Sequence, residues 1–302
     1  MVFFIFIVSN GAGLLTPLGD PPLFLGFLRG VPFAWTLRLA APWLIVNGTL
    51  VALFAVIDRT LAARERRRPL PLVVVEAAER EPLRVLGAIN LVWLLGIVVV
   101  VFVMGSVGTR LFGDGLVRAS VQIGGMVACA LLSLKTTPPQ VHSTNRFSWL
   151  PILEVAAVFV GVFITMIPAL SFLGERGAAL GVTKPWQFFW AAGALSSVLD
   201  NAPTYLTFAS LAVGVANGAH GTLSVDDLGA LAVHPTGQQL LAAVSCGAVL
   251  MGAITYIGNG PNFMVKAIAE QHHVRMPSFF GYTIWSLAIL VPLFGVVSHL
   301  FF

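Results

Sequence analysis

Charged side chains are scarce in this sequence: Asp, Glu, Lys and Arg make up 10% of its 302 residues, whereas hydrophobic residues make up 57%. The mean hydropathy is +0.90. Because one soluble core cannot hide so much apolar surface, the composition excludes a soluble enzyme with a simple anchor. A membrane helix needs about 20 apolar residues, so the chain has room for roughly seven to nine crossing or re-entering segments. We therefore expect an all-α polytopic membrane protein.

Several chemical signatures are also missing. The two cysteines, Cys129 and Cys246, lie in apolar stretches without metal or redox spacing, which predicts a packing role. No glycine loop of the phosphate-binding kind occurs, so nothing supports ATP-driven pumping. The six histidines fall in loops or at the chain end, where a solvated role is favoured over pH sensing. We expect no enzymatic activity, no cofactor and no bound metal centre.

The basic residues are concentrated in one polar segment at 58–84, which contains seven arginines. Such arginine density beside two membrane ends marks the cytoplasmic side, so it predicts topology rather than nucleic-acid binding. The expected location is the bacterial inner membrane. Four further cations fall on the same predicted side: Lys135, Arg146, Lys266 and Arg275.

Two apolar segments are broken by similar polar sequences. At an offset of 239 residues, the segment 16–24 faces 255–263, and five of the nine positions agree in kind. Asp20 faces Asn259. Proline and glycine prevent an unbroken helix through either stretch. Paired interruptions of this kind are typical of a transporter built from repeats, with its site near the membrane midplane.

The order of apolar segments predicts three parts of the chain. Residues 1–58 would end a first repeat, with a broken helix and one span, and 59–84 would be a cytoplasmic linker. Residues 85–302 would be a second, inverted repeat with three spans, a re-entrant hairpin at 186–213, a broken helix and a last span. The first repeat is shorter than the second, so we expect an N-terminally truncated form of a longer protein.

Two carboxylates stand inside these breaks. A carboxylate at membrane depth is costly unless it binds a cation or a proton, so Asp20 and Asp200 are the expected carriers. A helix cap at the membrane surface is the alternative for Asp20. Six neutral side chains nearby are expected oxygen ligands for a hard cation such as Na⁺: Thr16, Asn201, Thr204, Thr255, Asn259 and Asn262.

Other polar residues in the apolar segments allow less specific readings. Ser9 and Asn10 are either a polar ledge that lines the cavity or a packing contact. Glu154 is expected to reach the interface from a helix end. Asn47 and Asn90 are expected to form hydrogen bonds between helices.

Three motifs together resemble a known group of transporters: Ser9-Asn10 with the 16–22 break, the segment 199–204, and the segment 256–262. The chain is similar to the bacterial sodium/proton antiporter and citrate transporter group of the Ion Transporter superfamily, and more distantly to arsenite permeases and dicarboxylate transporters. The resemblance implies a scaffold domain that holds a homodimer. It also implies a moving transport domain, here 1–28, 186–213 and 239–268.

The main functional prediction is exchange of Na⁺ or Li⁺ for H⁺ by alternating access, with the two aspartates alternately protonated and ion-loaded. Cation-coupled uptake of citrate or another carboxylate is the alternative, in which hairpin amides and half-helix N-termini hold the substrate. A third reading is a membrane remnant that does not transport. The expected partners are the lipid bilayer, a small cation or carboxylate and a second copy of the chain, without nucleic acid.

Overall fold

The structure is a computed structural model that describes residues 1–65, 86–113, 116–145, 147–149, 181–217, 223–224, 228–271 and 273–302, with scattered positions between 152 and 168. Within these residues the secondary structure is helical, which confirms the all-α prediction. The α-helices are α1 Val2–Ile7, α2 Pro21–Leu28, α3 Ala40–Glu65, α4 Ile89–Ser106, α5 Gly108–Phe112, α6 Leu116–Thr136, α7 Pro139–Thr144, α8 Pro185–Ser196, α9 Asn201–Asn217, α10 Leu228–Val233, α11 Gly237–Met251, α12 Gly260–Gln271 and α13 Phe279–Phe301. Short 3₁₀ segments cover Gly11–Leu15, Phe33–Leu39 and Gly252–Ile254.

Four of the described helical stretches are long and apolar enough to cross a membrane: Phe33–Arg64, Leu116–Thr136, Gly237–Ile254 and Phe279–Phe301. Shorter apolar stretches cover Val2–Leu15 and Ile89–Gly105. In the hydrocarbon layer a helix satisfies its own backbone hydrogen bonds, which is why these apolar runs adopt this structure. The chain is a multi-pass membrane protein.

The chain divides into two compact units, of which the second comprises residues 55–156. Within it, α4 packs along α6. Asn90 accepts hydrogen bonds of 2.8 Å from the hydroxyls of Ser133 and Thr137 on the neighbouring helix. This bond between helices agrees with the prediction for Asn90. Asn47, on α3, instead donates to the carbonyl of Trp43 in its own helix, at 3.0 Å.

The other unit comprises residues 1–54 and 157–302, and α11 lies at its centre. Twelve of the fifteen residues of α11 are buried, including Cys246. This helix packs against α8, α9 and α10, and also against α2. Gly193 on α8 and Gly247 on α11 allow the two backbones to approach closely, as small residues do between membrane helices.

Several predicted boundaries differ from the structure. The interruption expected at 200–204 lies at 197–200, because α9 already begins at Asn201. Pro203 is tolerated in the first turn, where its missing N–H has no partner in the helix. The expected loop at 214–238 contains α10, whose Leu228 and Leu231 are fully buried.

Three predicted features fall partly or wholly outside the described residues. The Arg-rich linker is described only as far as residue 65, where it continues α3. The span expected at 149–171 is described only at scattered positions, and Glu154 is not among them.

Candidate functional site

The two predicted breaks have matching backbone conformations. The 3₁₀ segments that precede them end at Leu15 and Ile254. A threonine in extended conformation follows each, with φ −137° and ψ 146° at Thr16 and φ −127° and ψ 166° at Thr255. The helices α2 and α12 then begin at positions that also differ by 239 residues. The offset read from the sequence therefore also relates the local structures.

A pair of glycines closes each break. A Cβ built on Gly19 would lie 2.6 Å from the carbonyl oxygen of Gly13. At the second break, a Cβ on Gly258 would lie 2.6 Å from the carbonyl oxygen of Gly252. Real Cβ atoms do not approach other atoms so closely. Each extended loop therefore folds back over its own 3₁₀ segment only because both positions lack a side chain.

The turn between α8 and α9 packs against the second break. The hydroxyl of Thr255 donates to the carbonyl of Ser197 at 2.5 Å and accepts from the backbone N–H of Gly258 at 3.1 Å. The hydroxyl of Ser196 donates to the carbonyl of Ala248 on α11 at 2.6 Å. These contacts hold the interruption before Asn201 beside the second break. Neither serine was among the residues predicted for the site, although an adjacent serine pair just before a break is a visible signal in the sequence.

Asp20 lies at the meeting point of the first break and α9. Its two carboxylate oxygens accept hydrogen bonds from the side-chain N–H₂ of Asn201 at 3.0 and 3.1 Å. Asp20 is only 4% exposed, and it is the only charged residue among the buried residues that the structure describes. It occupies the N-cap position of α2 but makes no capping hydrogen bond through its side chain. The carboxylate is therefore directed towards Asn201 and not used as a helix cap.

Asn201 has an unused acceptor. Its side chain is fully buried, and its amide oxygen has no hydrogen-bond partner among the residues that the structure describes. A buried polar atom without a partner costs free energy, so such an atom beside a carboxylate calls for a ligand. Carboxylate and amide oxygens are the ligands that hard cations prefer. Asp20 and Asn201 together offer both.

Three buried asparagines form a second polar group next to this pair. The side-chain amide of Asn10 donates to the amide oxygen of Asn262 at 2.7 Å and accepts from Asn259 at 3.1 Å. Asn262 donates to the carbonyls of Gly252 and Thr255, at 2.8 and 3.0 Å. Each asparagine is at most 1% exposed. This network joins the start of the chain to the second break.

The remaining predicted residues divide between the site and its surroundings. Asp200 is half-buried, and its carboxylate lies beside the backbone amides of Asn201 and Ala202, at the N-terminus of α9. It is close enough to Asp20 to interact with it electrostatically. The hydroxyl of Thr204 donates to the backbone carbonyl of Asp200 at 3.0 Å. Thr16 is exposed, and its carbonyl accepts a hydrogen bond from the N–H of Gly19 at 3.0 Å.

Ser9 contributes its backbone to the cluster. Its carbonyl accepts a hydrogen bond of 3.1 Å from Asn259. Its neighbour Asn10 contributes its side chain, at 1% exposure. Both residues of this dipeptide therefore contribute polar groups to the buried cluster.

The cluster combines negative side chains with positive helix ends. Asp20, Asp200 and Asn259 directly precede α2, α9 and α12. The N-terminus of a helix carries free N–H groups and a partial positive charge, which favour an anion. Because the first two residues of α2 are prolines, N–H donors for an anion come from α9 and α12, beside the oxygen ligands for a cation. Such a site has the chemistry to hold a carboxylate together with a cation.

The comparisons with known proteins agree with this chemistry. The profile of one family, described as "Putative citrate transport", matches residues 1–302. No curated protein and no solved structure matches the chain. Because the match covers the whole chain, this protein belongs to that family of citrate transporters.

Proposed function

We propose that this protein is a secondary transporter that couples the movement of citrate or a related carboxylate to a cation, either Na⁺ or H⁺. Membership of the citrate transport family supports the substrate class. The observation that carries the proposal is the buried carboxylate of Asp20, held by Asn201, whose amide oxygen has no partner within the described part of the chain. This reading was the alternative at the level of the sequence, and it accounts for the family better than antiport does.

Asp20 is the residue that binds the coupling cation in this proposal. A carboxylate that is 4% exposed inside a membrane protein needs a positive partner, and Asn201, which donates to both of its oxygens, is a neutral amide. A bound Na⁺ or proton supplies the missing charge. The amide oxygen of Asn201 is then the neutral ligand that completes the contact with Na⁺. Loading the cation also removes the negative field that would repel a carboxylate substrate.

The helix N-termini near the cluster bind the anionic substrate in this proposal. The first turns of α9 and α12 offer N–H groups next to the cluster, whereas α2 begins with Pro21 and Pro22, which have none. In transporters with interrupted helices, such ends hold anionic substrate groups near the midplane. Asn10 and Asn259 provide further amide groups within the cluster. Alternating access of this cluster to the two sides of the membrane would complete the cycle.

Exchange of Na⁺ for H⁺ remains the second candidate because of one observation. Among the buried residues that the structure describes, no lysine or arginine accompanies Asp20. A carboxylate with only neutral neighbours can exchange a proton for a cation without any organic substrate.

Transport in proteoliposomes distinguishes the two candidates. We expect labelled citrate to accumulate when an inward Na⁺ or H⁺ gradient is imposed, and Asp20→Asn to abolish this accumulation. Asp58→Asn removes the same charge at an exposed position of α3 and is the matched control. A pH dye inside the vesicles reports antiport in the same preparation. Cation-driven proton movement without any carboxylate uptake would replace the proposal with antiport, and folded protein without either flux would contradict both.

A further inference from the structure

Lys266 is the cation nearest to the second break along α12, and its neighbours are defined. Its ammonium lies 3.1 and 3.2 Å from the two carboxylate oxygens of Glu270, one turn further along the helix. The same ammonium lies 5.6 Å from the ring centroid of Tyr256, which belongs to the break itself. Tyr256 is only 2% exposed and stacks on Tyr282 at 4.1 Å between ring centroids. Tyr256 therefore contacts Lys266 with its ring and also belongs to the buried part of the site.

Three polar residues lie on one face of α12 and lead from the site to the surface. Asn262, Lys266 and Glu270 are spaced four residues apart, which places them on the same side of a helix. Exposure rises along this row. Asn262 is fully buried in the amide cluster, the Lys266 side chain is 25% exposed and that of Glu270 is 48% exposed. A carboxylate that enters along this face meets the ammonium before it reaches the buried amides.

We propose that Lys266 is the entry residue for substrate on the predicted cytoplasmic side, where one carboxylate of the substrate takes the place of Glu270. The inference rests on the proposed carboxylate transport and deepens it by naming a residue that determines affinity. Glu270 presents to Lys266 the same chemical group as the substrate does. It therefore neutralises the lysine while the site is empty and competes with the incoming anion. Tyr256 holds the ammonium in place through its ring face during the exchange.

For this exchange, Glu270 must separate easily from Lys266. The pair of Lys266 and Glu270 is partly exposed and belongs to one helix, and such pairs are weak. A substrate that also reaches the N–H groups of the break gains contacts that Glu270 does not make. Replacement of the internal carboxylate by the external one is therefore favourable.

The test compares two substitutions that break the same ion pair. Lys266→Ala removes the charge-assisted contact and is expected to raise the KM for citrate about tenfold when citrate is presented on the cytoplasmic side, in inside-out membrane vesicles. Glu270→Gln removes the competitor and is expected to lower the KM about twofold. A merely structural ion pair predicts the same direction for both variants. Opposite directions therefore support an entry role, whereas equal or absent shifts overturn it.

Two further variants control for misfolding and for a general effect of losing one positive charge. Lys266→Arg keeps the charge and is expected to keep the KM close to that of the wild type, even where the alanine variant folds poorly. Lys135→Ala removes an equal charge at an exposed position of α6 and is expected to leave the KM unchanged. Wild-type protein that does not move citrate contradicts the proposed function itself. Wild-type transport with unaltered variants contradicts only the role of Lys266.

Discussion

Two aspartates that look alike in the sequence have different surroundings in the structure. Asp20 is almost fully buried and bonded to Asn201, whereas Asp200 is half-buried beside the first backbone amides of α9. A carboxylate at such a position acts as a helix cap. The carrier role predicted for both residues therefore has structural support at Asp20, and at Asp200 a capping role competes with it.

This difference gives a prediction about Asp200. Because asparagine caps a helix about as well as aspartate does, Asp200→Asn is expected to preserve both the fold and most of the transport, unlike Asp20→Asn. Asp200→Ala is expected to lower the free energy of unfolding by about 1 kcal/mol through loss of the cap. Thermal unfolding in detergent and citrate uptake check the two effects. Complete loss of uptake in a folded Asp200→Asn variant would restore the carrier role to this residue.

At the scale of the element, the notable feature is that each break is built in the same way. A 3₁₀ segment, an extended threonine and a pair of glycines precede the start of a new helix. The interruption frees backbone groups, which are tolerated at membrane depth only against protein or in a polar cavity. The side-chain amide of Asn262 satisfies two of the carbonyls, those of Gly252 and Thr255. The breaks are therefore ordered structures.

Alanine substitutions test this construction. Gly19→Ala and Gly258→Ala place a Cβ against backbone that cannot move aside, so each is expected to cost about 1–3 kcal/mol of stability. Gly48→Ala in α3 is the control, because no atom lies within 4 Å of its Cβ. There the better helix propensity of alanine is expected to leave stability unchanged or to raise it by up to about 1 kcal/mol. Unfolding midpoints measured by intrinsic fluorescence provide the comparison, and equal effects at all three positions would contradict close approach at the breaks.

At the scale of the whole molecule, the composition and the apolar helices establish a multi-pass membrane protein. Inverted orientation of the two copies, a homodimer and the bacterial inner membrane as location stay predictions from the sequence. The inverted orientation follows from the odd number of crossings between the breaks and from the distribution of arginine and lysine. The dimer follows from the family resemblance alone.

Cysteine accessibility in intact cells tests the orientation. In a variant without Cys129 and Cys246, a membrane-impermeant maleimide is expected to label Lys184→Cys from outside. It should label Arg64→Cys and Lys135→Cys only after permeabilisation. All three positions are exposed, so the side of the membrane decides the labelling. Labelling of all three from one side would contradict the predicted number of crossings between them.

Local features of the chain explain what could be predicted. The apolar runs fix the class of protein, because they depend only on length and composition. Proline, glycine and polar residues within these runs located the breaks to within a few residues. The end of the α8 to α9 interruption was misplaced, since Pro203 suits the first turn of a helix as well as a break. The burial of α10 was missed because its six residues carry no length signal.

The sequence by itself determined a polytopic helical membrane protein with two equivalent breaks, because hydropathy and proline and glycine content act along the chain. Only the tertiary structure decided which polar groups meet. Asp20 and Asn201 are 181 residues apart, and Asn10 and Asn262 are 252 residues apart. No periodicity encodes such pairs. Packing around α11 brings them together, and it leaves Asp20 almost fully buried and Asp200 only half-buried, where a charge costs less free energy.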